Sequence, residues 1–187
     1  FNEDYPDSYN SIGVVYFEME KFDESIEFYQ KAIKINPSYA EAYNNLGAVY
    51  KKLGNFDEAI GCFESALSIK PNFADAYGNL GHLHKKNGLP EKALICYEKA
   101  SEINPNDPEN YNNLGVAYSQ LELLDKSLNS YEKAIGLDAS YVHAHNNLGH
   151  LYCKLDRHEE AIASYEKAFN LNPRLRYILG NILSAKA

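Results

Sequence analysis

Asn44-Asn45-Leu46-Gly47 is written again as Asn112-Asn113-Leu114-Gly115 and as Asn146-Asn147-Leu148-Gly149, with Gly78-Asn79-Leu80-Gly81 between them. The glycines at 47, 81, 115 and 149 stand 34 residues apart, and Gly13 carries the series one step back. Pro37, Pro71, Pro105 and Pro173 keep the same interval, with Ala139 at the missing step. Two residue types holding one register over five periods mark an internal repeat, and a period of this length means supersecondary units that bury their faces by stacking. The register divides the chain into 6–39, 40–73, 74–107, 108–141 and 142–175.

Each unit reads as two helices. In the first, Tyr43, Leu46 and Tyr50 follow the i, i+3, i+7 spacing of one helical face. Gly54 and Gly88 then suit the left-handed residue that follows a helix. The second helix opens on Asp57 and Glu58, which favour the positive end of the helix dipole. It turns Ala59, Ile60, Phe63, Ala66, Leu67 and Ile69 inward, and Pro71 closes it. Gly47 and its equivalents let the two helices approach closely, and the small Ala59 and Ala66 do the same from the other side. The expected fold class is all-α, a right-handed superhelical solenoid with one concave side.

Both ends extend the pattern. Phe1-Asn2-Glu3-Asp4-Tyr5 aligns with Ile35-Asn36-Pro37-Ser38-Tyr39, so residues 1–5 read as the tail of a preceding repeat and the chain as part of a longer array. After Pro173 the period is expected to break. Leu175, Ile178, Leu179, Ile182 and Leu183 make one more apolar helix face, so 176–187 reads as a capping helix or the start of another domain.

Composition excludes several classes of function. A net charge of −8 argues against nucleic acid as the main partner, because phosphate contacts need a basic surface. No apolar run approaches the roughly 20 residues of a membrane span, and no signal peptide is expected from the residues read. Cys62, Cys96 and Cys153 form no CxxC pair, and the 34-residue spacing of the first two sets them beyond disulfide reach. Three reduced thiols in a cytoplasmic protein are expected. The six His do not converge: His82 and His150 lie two repeats apart, and His143 and His150 are two turns apart on one helix. His84 and His145 replace core aromatics. No nucleophile–base motif, phosphate loop or dinucleotide turn occurs, so neither a cofactor nor an enzymatic role is expected of these residues.

The pattern Tyr43–x2–Leu46-Gly47–x2–Tyr50, followed by Ala59, Phe63, Ala66 and Pro71, resembles the tetratricopeptide repeat over residues 6–175. Ile12, Ser25, Ser127, His84 and His145 depart from it mildly. The resemblance implies a protein–protein interaction module whose first helices line a groove for an extended polypeptide. It places Ser11, Asn45, Asn79, Asn113 and Asn147, just before each Leu-Gly pair, on that groove. An amide offers donors and an acceptor together, so a regular row of amides suits a peptide backbone whatever its sequence. The alternative is that these Asn bond within the array and hold neighbouring helices, since Asn is a poor residue for a helix interior. His82 and His150 occupy the next groove position. Lys51, Lys52, Lys85 and Lys86 end the first helices of repeats two and three. There they either complement the negative helix end or form a basic patch for an acidic peptide segment. A clamp for C-terminal carboxylates would need Lys at 10, 44, 78, 112 or 146, where Asn and Gly stand instead. The repeats, with Leu179-Gly180-Asn181-Ile182-Leu183-Ser184 after them, also resemble those of bacterial O-linked N-acetylglucosamine transferase-like proteins. In that case they would form the substrate-docking arm of a protein glycosyltransferase. Self-association by stacking of repeat ends is a further alternative.

Overall fold

The computed structural model describes residues 5–186, and the expectation for the tail at 1–5 falls almost wholly outside them. Among the described residues there are eleven helices and no strand. They are α1 (Pro6–Glu18), α2 (Phe22–Ile35), α3 (Ala40–Leu53), α4 (Phe56–Ile69), α5 (Ala74–Lys86), α6 (Pro90–Ile103), α7 (Pro108–Gln120), α8 (Leu124–Leu137), α9 (Val142–Lys154), α10 (His158–Leu171) and α11 (Tyr177–Lys186). The chain divides into two compact units, one ending at Leu89 and one beginning at Pro90. In the first, α1 pairs with α2 and α3 with α4, and α5 packs on α4. In the second, α7 pairs with α8 and α9 with α10, and α11 packs on α10.

Every first helix stops in the same way. The residue at the stop takes positive φ: Gly54 at 84° and Gly88 at 70°, as their type requires. Glu20, Glu122 and Asp156 do so at the equivalent steps, at 58°, 58° and 56°. The next residue bonds back five positions, Asn55 N–H to Tyr50 O at 2.9 Å and Arg157 N–H to Tyr152 O at 2.9 Å. This closure satisfies a carbonyl the helix end would otherwise leave open. The chain can then reverse into the second helix.

Inside each pair the contact is a ring laid on a glycine. A methyl carbon added at Gly13, Gly47, Gly115 or Gly149 would come within 2.6, 2.7, 2.4 or 2.5 Å of Tyr29, Phe63, Tyr131 or Tyr165 respectively. Phe63 is fully buried, and burying such a ring stabilises by about 2–3 kcal/mol. Ala59 and Ala66 are also fully buried, whereas Ile60, Leu67 and Ile69 are only half-buried. The small residues sit at the closest approach and the larger ones along its margin. The two serines at an alanine position have their own reason: Ser25 Oγ donates to Gly13 O and Ser127 Oγ to Gly115 O, both at 2.8 Å and both buried. Each hydroxyl adds a bond where alanine gives only closeness.

The period continues past Pro173. Gly180-Asn181-Ile182-Leu183 stands 102 residues after Gly78-Asn79-Leu80-Gly81. In α11, Ile178, Ile182 and Ala185 are buried against Ala161, Tyr165 and Ala168 of α10. α11 therefore covers the last hairpin while holding the register of a first helix. Leu183, at the glycine step, is exposed.

Candidate functional site

The second Asn of each doublet does not stand alone. In the first unit Asn45 Nδ2 donates to Asn10 Oδ1 at 3.0 Å, and Asn79 Nδ2 to Asn44 Oδ1 at 3.2 Å. In the second, Asn147 donates to Asn112 at 2.9 Å and Asn181 to Asn146 at 3.0 Å. Each bond spans 35 residues and ties one first helix to the first helix before it. The reason is geometric: the 34-residue repeat stacks equivalent positions, so a residue reaches the one beside its own equivalent. One N–H of each amide is thereby committed, and each carboxamide has a second N–H and carbonyl lone pairs besides; the Asn79 carbonyl accepts from Lys51, and Asn181 Nδ2 also lies 3.4 Å from His150 Nε2. Asn45, Asn79, Asn147 and Asn181 are half-buried, and Asn113 is 5% exposed.

Other expected site residues fall into place differently. Ser11 is exposed and its Oγ donates to Asp7 O of its own helix at 2.8 Å, so it forms no rung. Lys51 Nζ donates to the carbonyl oxygen of Asn79, joining an expected cation to an expected amide. Lys86 Nζ lies 4.1 Å from the Phe56 ring centroid, a cation–π contact. Lys52 is exposed and Lys85 half-buried. Burial lowers the Lys85 pKa, because leaving water penalises the ammonium. His82 Nδ1 is 2.9 Å from Gly78 O, one turn back.

His150 lies in a different setting, on a cleft of about 270 Å³ bordered by α9, α10 and α11. Its Nδ1 is 2.9 Å from the Tyr165 hydroxyl, which is also 3.7 Å from Cys153 Sγ. The His150 ring stands edge-on to Tyr165 at 5.3 Å. Desolvation lowers the His150 pKa and raises that of Tyr165. Cys62 and Cys96 are free thiols pushed up to about 11 by burial, which makes them poor nucleophiles. Among the described residues no group of three or more His, Cys, Asp and Glu could hold a metal ion. No helix among them is long and apolar enough to cross a membrane.

Sequence reasoning missed the accepting partners Asn10, Asn44, Asn112 and Asn146, and the further rung Asn181. The doublet and the unbroken 34-residue count to Asn181 were the available signals. It also missed Asn110, a buried side chain that bonds Ala100 O and Asn104 O at 3.3 and 3.4 Å and so closes the end of α6.

Comparison with known proteins agrees with this geometry. Tetratricopeptide repeat families match residues 40–73, 74–107 and 142–175, residues 96–129, and residues 15–54 and 123–156. No curated protein matches this chain significantly. Among solved structures, the chain resembles YrrB, described as a TPR protein with an unusual peptide-binding site. That likeness has 26% identity and a TM-score of 0.76, and covers 96% of this chain and 92% of YrrB. The MamA protein matches at 25% identity and a TM-score of 0.76, over 90% and 92% of the two chains. The Cut9 and Hcn1 assembly of the APC/C matches at 20% identity and a TM-score of 0.85, over 99% of this chain and 37% of that one, a likeness of fold. The ring-on-glycine pairs, the shared helix stop and the three full-length matches of one repeat together place this chain in the tetratricopeptide repeat family.

Proposed function

We propose that this protein binds an extended polypeptide along the exposed side of its first helices, with Asn45, Asn79, Asn113 and Asn147 contacting the peptide backbone. The observation that carries the reading is the series of amide ties. Each fixes the orientation of one carboxamide, at Asn45, Asn79 and Asn147, and at Asn45 and Asn147 a second N–H and the carbonyl oxygen stay outside the tie. An amide held in place by its neighbour loses little further freedom on binding, which favours affinity. Lys51, joined to Asn79, and His82 and His150 at the next step would adjust which side chains are accepted.

The test separates the outward amide from the tie. Asn45→Ala with Asn147→Ala removes two of the four contacting amides; Asn44→Ala with Asn112→Ala removes the ties of Asn79 and Asn147 but keeps all four contacting amides. Binding of a pool of unstructured fluorescent peptides, followed by anisotropy, is expected to weaken much more in the first pair. Equal binding by all three proteins would remove the amide row from the site.

Two further readings have an observation in their favour. The amide row is also what a glycosyltransferase docking arm would carry, and a long α/β-patterned segment following Ala187 in the full protein would support it. Self-association is favoured by exposed apolar side chains: Ile12 and Val15 on α1, Met19 just after it, and Leu179 and Leu183 on α11. Light scattering that reports a monomer at every concentration would eliminate it.

A further inference from the structure

The last turns of α3 and α5 each carry two lysines, where α9 carries one and α1 and α7 none. Lys51 and Lys85 share one repeat position, which holds Phe17, Ser119 and Cys153 elsewhere. Lys52 and Lys86 share the next, which holds Glu18, Gln120 and Lys154. The first unit of a chain with net charge −8 thus concentrates four lysines on two adjacent helices.

Three of these four lysines stand apart from the ion pairs of the described residues. The ion pairs of the first unit join Lys31 to Glu27 at 2.5 Å and Lys70 to Glu41 at 2.7 Å. Lys154, the second unit's lysine at this step, pairs with Glu122 at 2.7 Å and bonds Ser119 O at 3.0 Å. Among the described residues Lys52, Lys85 and Lys86 belong to no ion pair. Lys86 rests on an aromatic ring, and Lys85 is half-buried. Complementing a helix end accounts for charge in the last turn. It does not account for withdrawing a lysine from water without a counter-charge, which costs stability. A partner that supplies the counter-charge would recover that cost.

We propose that Lys52, Lys85 and Lys86, beside Asn79 and its bonded Lys51, form a subsite for the carboxylate side chains of an acidic peptide. The proposal rests on the peptide-binding reading above and adds the chemistry of the ligand. Packed helices stand about 8–10 Å apart, and an extended chain rises about 3.3 Å per residue. A peptide crossing from α3 to α5 would therefore present one acidic residue to each helix when the two stand two or three residues apart. Amides would hold the backbone while lysines hold the side chains.

The experiment uses the whole chain and two fluorescein-labelled peptides of equal length, one alternating Glu and Ser, the other Gln and Ser. Tighter binding of the Glu peptide, weakened by added salt, is expected. Lys52→Gln with Lys85→Gln should weaken the Glu peptide about tenfold or more, the scale of a lost hydrogen bond to a charged group. The same pair should leave the Gln peptide unchanged, and Lys154→Gln should affect neither. Thermal melts confirm that the variants fold; if the double variant does not, Lys85→Arg, which keeps the charge, must retain the preference for Glu. Equal binding of both peptides overturns the subsite and leaves the amide row standing. Binding of neither overturns both.

Discussion

The α3–α4 and α9–α10 hairpins are built on one plan and differ in what surrounds the same contact. In both, a ring from the second helix lies on a glycine of the first: Phe63 on Gly47, Tyr165 on Gly149. In both, the preceding helix is tied by an amide, Asn45 to Asn10 and Asn147 to Asn112. Beside the second ring stand His150 and Cys153, with the Tyr165 hydroxyl 2.9 Å from His150 Nδ1 and 3.7 Å from Cys153 Sγ; the same repeat positions in the first hairpin hold Ala48 and Lys51. The first hairpin stops α3 with Gly54 at φ 84°, the second stops α9 with Asp156 at φ 56°. The contact that builds the hairpin is thus separable from the residues that give its surface a chemistry.

The largest expected effect comes from breaking what the two share. Gly47→Ala and Gly149→Ala each drive a methyl group into a ring, at 2.7 and 2.5 Å, and overpacking of this kind costs about 1–3 kcal/mol. Urea unfolding would measure it, and Gly149→Ala should lose more because Tyr165 is tethered by its hydroxyl. Wild-type stability in both variants would mean that the ring yields freely and the contact is not the constraint described here.

Next in size is the tether. Tyr165→Phe makes the second ring like the first and is expected to lose about 1 kcal/mol, the worth of one hydrogen bond. An unchanged melting curve would show that the His150 contact adds nothing to packing. The helix stops come after it, with opposite signs. Gly54→Ala must carry a side chain at φ 84°, at a cost of about 1 kcal/mol. Asp156→Gly relieves a residue at φ 56° and should gain roughly 0.5 kcal/mol after the extra freedom glycine has when unfolded. Two losses, or two gains, would contradict equivalent turns.

The smallest effect separates the hairpins by pH. His150 has its pKa lowered by desolvation, so below about pH 6.5 the unfolded chain binds a proton more readily than the folded one. Stability from this group is therefore present at neutral pH and lost as pH falls through its folded pKa. Titrating the melting temperature of wild type against His150→Gln should show a shallower acid decline in the variant. Parallel curves would assign the decline to other groups.

Much of this was legible in the sequence because a period of 34 reports packing directly. Gly47, Ala59, Phe63 and Ala66 were readable as close-contact residues, and the structure explains them as parts of a single ring-on-glycine contact. The helix stops were legible at Gly54 and Gly88 and hidden at Glu20, Glu122 and Asp156, where local bonding holds a side chain in the same turn. The candidate site was less readable. The amides were visible as a row, but their partners lie 35 residues away, and only stacking shows which neighbour each one meets. Ser11 shared the row in sequence and left it in space, since a hydroxyl can bond its own helix four residues back.

Because the ring-on-glycine contact lies within one hairpin and the amide tie joins neighbours in a constant way, the array can change length in whole periods. Excising residues 40–73 would bring Asn79 into register with Asn10, the partner that Asn45 now holds. A gene of this construction can be shortened or duplicated one hairpin at a time. Each event would move the reach of the protein by a fixed stride while leaving the chemistry of every other hairpin as it was.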